Sequence, residues 1–220
     1  METSTRYCEK YLAYNKTLLF VLLVLFNISI FIANNKYVVT DKLYYNSLIE
    51  QLSMERIDSI IHENRKWQYL TVLFIPLVLL IKIGFTAFCL YVGLSFAGLQ
   101  NSFAELFNIS MKAELVFMVA SILKFLINIL THRVEVFDDL NNYPLSLISI
   151  TGTKGIYPWL TYPLQTLNLF ELIYWLALAK GLEVTFSRGY SSSLVLVLSS
   201  YVIGLVIWIL FVMLLTMQFT

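Results

Sequence analysis

From Ser193 to Met217 the chain reads "SLVLVLSSYVIGLVIWILFVMLLTM", with no charged residue. A bilayer hydrocarbon core of roughly 30 Å takes about 20 predominantly apolar residues per helix. Within it every backbone N–H and C=O must be satisfied inside the protein, which restricts spanning segments to helices and closed barrels. The apolar runs here are far too long for barrel strands, so helices are expected. Composition agrees. The chain of 220 residues is 59% hydrophobic and 13% charged, with a mean hydropathy of +0.75, against about 45–50% and about 25% in ordinary soluble domains.

Five spans are expected, at about 17–33, 70–98, 113–130, 164–182 and 193–217. The fold class is therefore an all-α integral membrane protein, a five-span helical bundle forming a single polytopic domain over 1–220. The first run, Thr17 to Ala33, has Phe31 where a cleavage site would want a small residue, so it reads as a retained anchor. Asn27 in its middle is expected to face another helix. The second run, Leu70 to Gly98, is longer than a bilayer requires and must tilt, protrude or kink near Pro76.

Two amphipathic pieces lie between the spans. Residues 40–66 carry apolar residues at helical spacing (Tyr45, Leu48, Ile49, Leu52, then Ile57, Ile60, Ile61). Thr40 or Asp41 can cap the first piece and Ser53 the second, which predicts surface helices outside the membrane. From Ser102 to about Lys112 a short amphipathic helix is expected at the interface. Glu105, Asn108 and Lys112 share one of its faces, whereas Glu114, Ser121, Lys124 and Asn128 fall on the opposite side. One straight helix would be polar all round, so a break before the third span is implied.

Net charge is +1, which argues against a nucleic-acid partner. Orientation is weakly encoded. An N-inside arrangement puts Arg6, Lys10, Lys16, Lys180 and Arg188 inside and Lys36, Lys42, Arg56, Arg65, Lys66, Arg133 and Lys154 outside. The raw count opposes it, but the cluster beside the first span favours it, and N-inside is the reading adopted. Cys8 and Cys89 lack ligand-type spacing, and His62 and His132 are isolated, so neither a metal site nor a cofactor is expected. No H-E-x-x-H, G-x-S-x-G or P-loop occurs, and no catalytic residue is assigned. Asp138–Asp139 beside Asn141–Asn142 is turn chemistry.

Charges inside spans carry the functional signal, because each costs roughly 2.5–3.5 kcal/mol at the bilayer centre on insertion scales. Thr71, Lys82, Thr86, Cys89 and Gly93 fall on one narrow face of the second span. Gln165, Asn168 and Glu171 step by three along the fourth. A stripe with a base and a stripe with an acid predict a Lys82–Glu171 pair, with Asn168 completing the hydrogen bonds. The intramembrane polar network is thus Lys82, Thr86, Asn168 and Glu171, with Glu114, Lys124 and Asn27 as secondary candidates. Packing and registry compete with transport or proton relay as its purpose. Lys112, Lys124 and Lys180 can snorkel to an interface, and Ser200 and Gly204 form a small-xxx-small pair that allows close helix approach.

Two stretches, "SFAELFNISMKAELVFMVASIL" and "LNLFELIYWLALAKGLEVTFSRGYSSSLVLVL", make residues 67–217 resemble the Yip family of five-span membrane proteins. Phe103, Leu106 and Phe107 match the aromatic entry before a span. Leu167, Asn168 and Phe170, with Gly181 and Leu182, match the entry and close of the fourth span. Leu169 stands where the family usually has proline, and Ala113–Glu114 replaces an expected helix-breaking proline. The resemblance implies a helical membrane protein without an enzymatic site. Eukaryotic members act in vesicle trafficking and bind small GTPases, and prokaryotic ones are sometimes described as transporter permeases. The short N-terminal segment points to the prokaryotic type and an inner membrane. The expected function is a non-catalytic, partner-binding accessory component of a trafficking or export assembly. Its partners would be the lipid bilayer and other membrane proteins or a second copy. A transporter or channel-like subunit is the alternative, and a membrane enzyme the third.

Overall fold

The computed structural model describes residues 15–131, 134–152 and 155–219. Arg6, Cys8, Lys10, His132, Arg133 and Lys154, which entered the charge and ligand arguments, lie outside them. Ten α-helices are described: α1 (Lys16–Tyr37), α2 (Asp41–Leu48), α3 (Met54–Phe96), α4 (Phe103–Ala113), α5 (Leu115–Thr131), α6 (Leu147–Thr151), α7 (Pro158–Thr166), α8 (Leu169–Phe186), α9 (Tyr190–Val197) and α10 (Ile203–Phe219). A 3₁₀ turn occupies Phe137–Asn141, and a π turn, Leu198–Val202, joins α9 to α10 without interruption.

Four helical stretches are long and apolar enough to cross a membrane: Lys16–Tyr37, Met54–Phe96, Phe103–Thr131 and Tyr190–Gln218. Their outward residues, among them Leu25, Leu73, Leu77, Ile81, Ile207, Leu210 and Leu214, are exposed. In water such a coat would be a large apolar patch; against lipid it needs no further cover. The fourth expected span is different. Residues 164–182 are not one helix. α7 ends at Thr166, Asn168 starts α8, and α8 carries Glu171, Lys180 and Glu183.

The second expected span and the second surface piece are one helix. α3 has 43 residues, which at 1.5 Å each is about 64 Å, roughly twice the hydrocarbon thickness. It runs unbroken across Pro76 and beyond the apolar run at its N-terminal end. Its other end is a Schellman closure. Gly98, at φ +70°, donates to Ser95 O (3.0 Å) and Leu99 donates to Leu94 O (3.0 Å). The positive φ is what requires glycine there.

The protruding part of α3 packs with α2 into a cap. Thr40 and Ser53 occupy the N-cap positions, though neither side chain makes a capping hydrogen bond. Leu43, Ile57 and Ile61 are buried. Arg65 reaches Asp41 with both carboxylate oxygens at 2.7 Å, and Tyr45 donates to Asp58. That hydrogen bond, ahead of burial and the neighbouring acids, raises the Tyr45 phenol above its ordinary value. The cap also grips the 134–141 connection. Phe137 N donates to Ser47 Oγ at 2.9 Å, Asn46 Nδ2 donates to Glu135 O at 3.2 Å, and the rings of Tyr44 and Phe137 meet edge-on. We therefore expect slow amide exchange over 41–48 and 54–66 in detergent-solubilised protein. Free exchange there would contradict the cap.

The break between α4 and α5 falls at Glu114, as the opposed polar faces require. The expected interfacial helix, however, is an interior one. α4 buries Leu106, Asn108, Ile109, Ser110, Met111 and Ala113. One side, through Leu106, Ile109 and Ala113, joins the main core with Leu90 and Leu94 of α3, Tyr174, Leu178 and Leu182 of α8, and Val197 and Tyr201. The other side, through Met111, joins a second core with Leu19 and Leu23 of α1 and Leu79 and Ile83 of α3. A helix with apolar partners on two sides is buried rather than laid on a surface. Gly181 of α8 is so close to α4 that an added Cβ would overlap the Ile109 side chain.

Candidate functional site

Lys82 lies on α3, six residues past Pro76. Its Nζ donates to Glu114 Oε2 at 2.9 Å and sits 3.5 Å from the centre of the Phe117 ring. The predicted Lys82–Glu171 ion pair is therefore replaced by Lys82–Glu114. Glu114 stands at the junction of α4 and α5, where its carboxylate meets Lys82. Glu114 is 3% exposed, and its Oε1 has no hydrogen-bond partner among the described residues.

Glu171, 5% exposed, is held instead by two neutral donors. Trp175 Nε1 and Tyr201 OH each reach Oε1 at 2.9 Å. Both bonds fall on the same oxygen, so Oε2 accepts none among the described residues. Trp175 is the i+4 neighbour of Glu171 on α8 and is readable from spacing. Tyr201 lies in the π turn, which no periodicity announces.

Asn168 completes no ion pair; it ends one helix and starts the next. Its Oδ1 accepts from Glu171 N at 2.9 Å, while its Nδ2 donates to Gln165 O and Thr166 O, both at 3.0 Å. Its backbone neighbours are clamped by the connection: Leu169 N donates to Leu145 O (3.0 Å) and Leu147 N to Leu167 O (3.1 Å). Losing an Asn cap typically costs about 1 kcal/mol, up to 2. With two further bonds lost, Asn168→Ala is expected near the upper end, about 2 kcal/mol. Thermal unfolding in detergent measures it, and an unchanged midpoint would refute the cap.

Thr86, fully buried, accepts from Tyr174 OH at 3.2 Å and turns its own hydroxyl to Lys82 O at 3.3 Å. Lys82, Thr86, Asn168 and Glu171 all line one cavity of about 420 Å³, walled also by Phe85, Phe117, Tyr143, Tyr162, Tyr201 and Trp208. A second cavity, of about 520 Å³, shares Val78, Lys82, Phe117 and Tyr143 and extends between α1, α3 and α5. Asn27 lines this second one, although its amide bonds back to Leu23 O at 2.8 Å. Lys124 stands apart. Its ammonium donates to Leu140 O at 3.0 Å and lies 5.3 Å from the Tyr143 ring centre. Burial first, then the carboxylates of Glu171 and Glu114, push the Tyr143 phenol up to about 12.

The chain matches no protein-family model, no curated protein and no solved structure.

The site's chemistry therefore rests on its own residues. No group of three or more His, Cys, Asp or Glu able to hold a metal occurs among the described residues. Cys89 is a free thiol, half-buried against Gly204. What the arrangement supplies is one ammonium, two carboxylates and a ring of phenol and indole donors around a void.

Proposed function

We propose that the chain is a five-pass inner-membrane protein, with its N-terminus inside, whose intramembrane polar centre admits a small solute, as the working part of a transporter or channel-like subunit. One observation carries the reading: Lys82, Thr86, Asn168 and Glu171 line one half-open cavity in the helical bundle. Intramembrane ionisable groups are costly and mark solute or ion paths by default. A cavity of about 420 Å³ lies within the usual range for small-molecule sites, about 300–1,000 Å³. In this reading α7 and α8 together make the fourth pass, broken at Asn168. Irregular backbone at membrane depth is tolerated where it is buried or lines a cavity.

The test is access. Gln165→Cys places a thiol on the cavity wall. A water-soluble methanethiosulfonate should label it in proteoliposomes from one side. Labelling only by a lipid-soluble maleimide would make the void a lipid crevice and end the solute reading. The topology is checked in the same preparation. Cysteines at positions 50 and 188 should label from opposite faces, and same-side labelling would overturn the five passes.

The Yip resemblance supplies a second reading, a partner-binding component of a trafficking or export assembly. The folded cap over 41–66, with a cleft between Asp41, Tyr44, Arg65 and Gln68, favours it. Co-purification of a stoichiometric membrane partner in mild detergent, lost on Arg65→Glu, would support that reading over the first.

A further inference from the structure

The cavity beside Glu171 has a charge imbalance built into it. Among the described residues, two carboxylates and one ammonium line this cavity and its neighbour. The ammonium is taken, because Lys82 is bound to Glu114 at 2.9 Å and capped by the Phe117 ring. Lys124 is engaged with the Leu140 carbonyl and lines neither void. Glu171 is thus left without a directly bound cation among the described residues. The residue is 5% exposed, and its carboxylate has one oxygen free of hydrogen bonds among the described residues and lines the cavity.

The walls speak to the same missing charge. Phe85, Phe117, Tyr143, Tyr162, Tyr201 and Trp208 surround the void. Three of them are already tied by hydrogen bonds, with Trp208 Nε1 donating to Tyr162 OH at 2.9 Å and Tyr201 OH to Glu171. Aromatic faces carry negative potential, and a cage of them with a carboxylate recognises alkylammonium groups. A hard metal cation is favoured by several carboxylate or carbonyl ligands, whereas this void offers one carboxylate beside six aromatic rings, and the Asn168 carbonyl is taken by Glu171 N.

We infer that this cavity binds an organic ammonium group, seated between the free oxygen of Glu171 and the faces of Tyr162 and Trp208. The inference rests on the solute reading above and names its ligand class. The ammonium can arrive on a free solute or on a lipid headgroup, and the experiment separates the two.

The full chain, purified in a maltoside detergent, is titrated with choline and with 3,3-dimethylbutan-1-ol, which has the same shape but carbon in place of the charged nitrogen. Tryptophan emission reports occupancy, since Trp208 lines the void. The lipid arm uses short-chain phosphatidylcholine against short-chain phosphatidylglycerol, below micelle formation. Saturable binding of choline at least about tenfold tighter than the alcohol is expected, and Glu171→Gln should erase that preference. If that variant does not fold, Tyr162→Leu serves, with Trp208 kept as the reporter and an expected weakening of about threefold to fivefold for choline and none for the alcohol. Binding of the phosphatidylcholine but not choline assigns the ammonium to a lipid. Equal binding of choline and the alcohol, or no saturable binding of any cation, overturns the inference. In that case labelling at Gln165→Cys decides separately whether the cavity still admits solutes.

Discussion

Lys82→Met is expected to lower stability by about 3 kcal/mol or more, the usual cost of removing one member of a buried ion pair. It strands Glu114, whose side chain is 4% exposed, with no other cation in hydrogen-bonding reach among the described residues. Glu114→Gln should cost less. The Lys82 side chain is 43% exposed and keeps its place over the Phe117 ring. Replacing both should recover most of the loss, because two well-packed neutral groups can match a buried pair. A double-mutant cycle by thermal unfolding in detergent reads the coupling. The companion cycle with Lys82→Met and Glu171→Gln should be close to additive. If that second cycle couples more strongly than the first, the pairing described here is wrong.

Gly93→Val should be comparably damaging, for a packing reason. α3 crosses the last helix where Cys89 and Gly93 meet Ser200 and Gly204 in antiparallel register. An added Cβ at Gly93 would overlap Ser200 Cβ, and one at Gly204 would lie 2.5 Å from Cys89 Sγ. Each glycine thus receives the side chain of the small residue opposite. Overpacking a filled interface costs about 1–3 kcal/mol, and valine against Ser200 should reach the top of that range. Gly84 supplies the control: nothing lies within 4 Å of an added Cβ there, so Gly84→Ala should leave the unfolding midpoint unchanged. Partial rescue of Gly93→Ala by Ser200→Gly would place the fault at this crossing. Failure of that rescue, with full stability at Gly93→Val, would dismiss it.

Both results bear on how far the sequence could be read. The two sides of the crossing were legible, but not that they meet. Cys89 and Gly93 stood on the narrow stripe of the second span, and Ser200 and Gly204 were marked as a small pair on the last. Small residues at four-residue spacing act through local geometry, which sequence carries directly. The break at Glu114 was legible for a similar reason, since opposed polar faces cannot belong to one straight helix. The choice of ion-pair partner was not. Glu114 and Glu171 are both acids within reach of Lys82's stripe, and which one arrives depends on the rotation that α5 takes after the break. Nor was the break at Asn168 legible. Apolar spacing reads straight through Leu167 and Leu169. What stops the helix is a strand-like bridge to Ser146, more than twenty residues earlier in the chain. The continuity of α3 through 66–70 was hidden too, because charge density changes there while helical propensity does not.

The π turn at Leu198–Val202 sets the angular indexing of the last helix. An α-helix advances about 100° per residue, and a π turn slips one extra residue into the winding. Tyr201 reaches Glu171 from inside that turn, and Trp208 meets Tyr162 after it. Rewinding the segment as α-helix with no residue removed would swing everything beyond it about 100°, carrying Trp208 towards lipid while Ser193 and Val197 kept their places. The two halves of the last helix are therefore clocked independently, with α9 timed to the packing against α8 and α10 timed to the cavity.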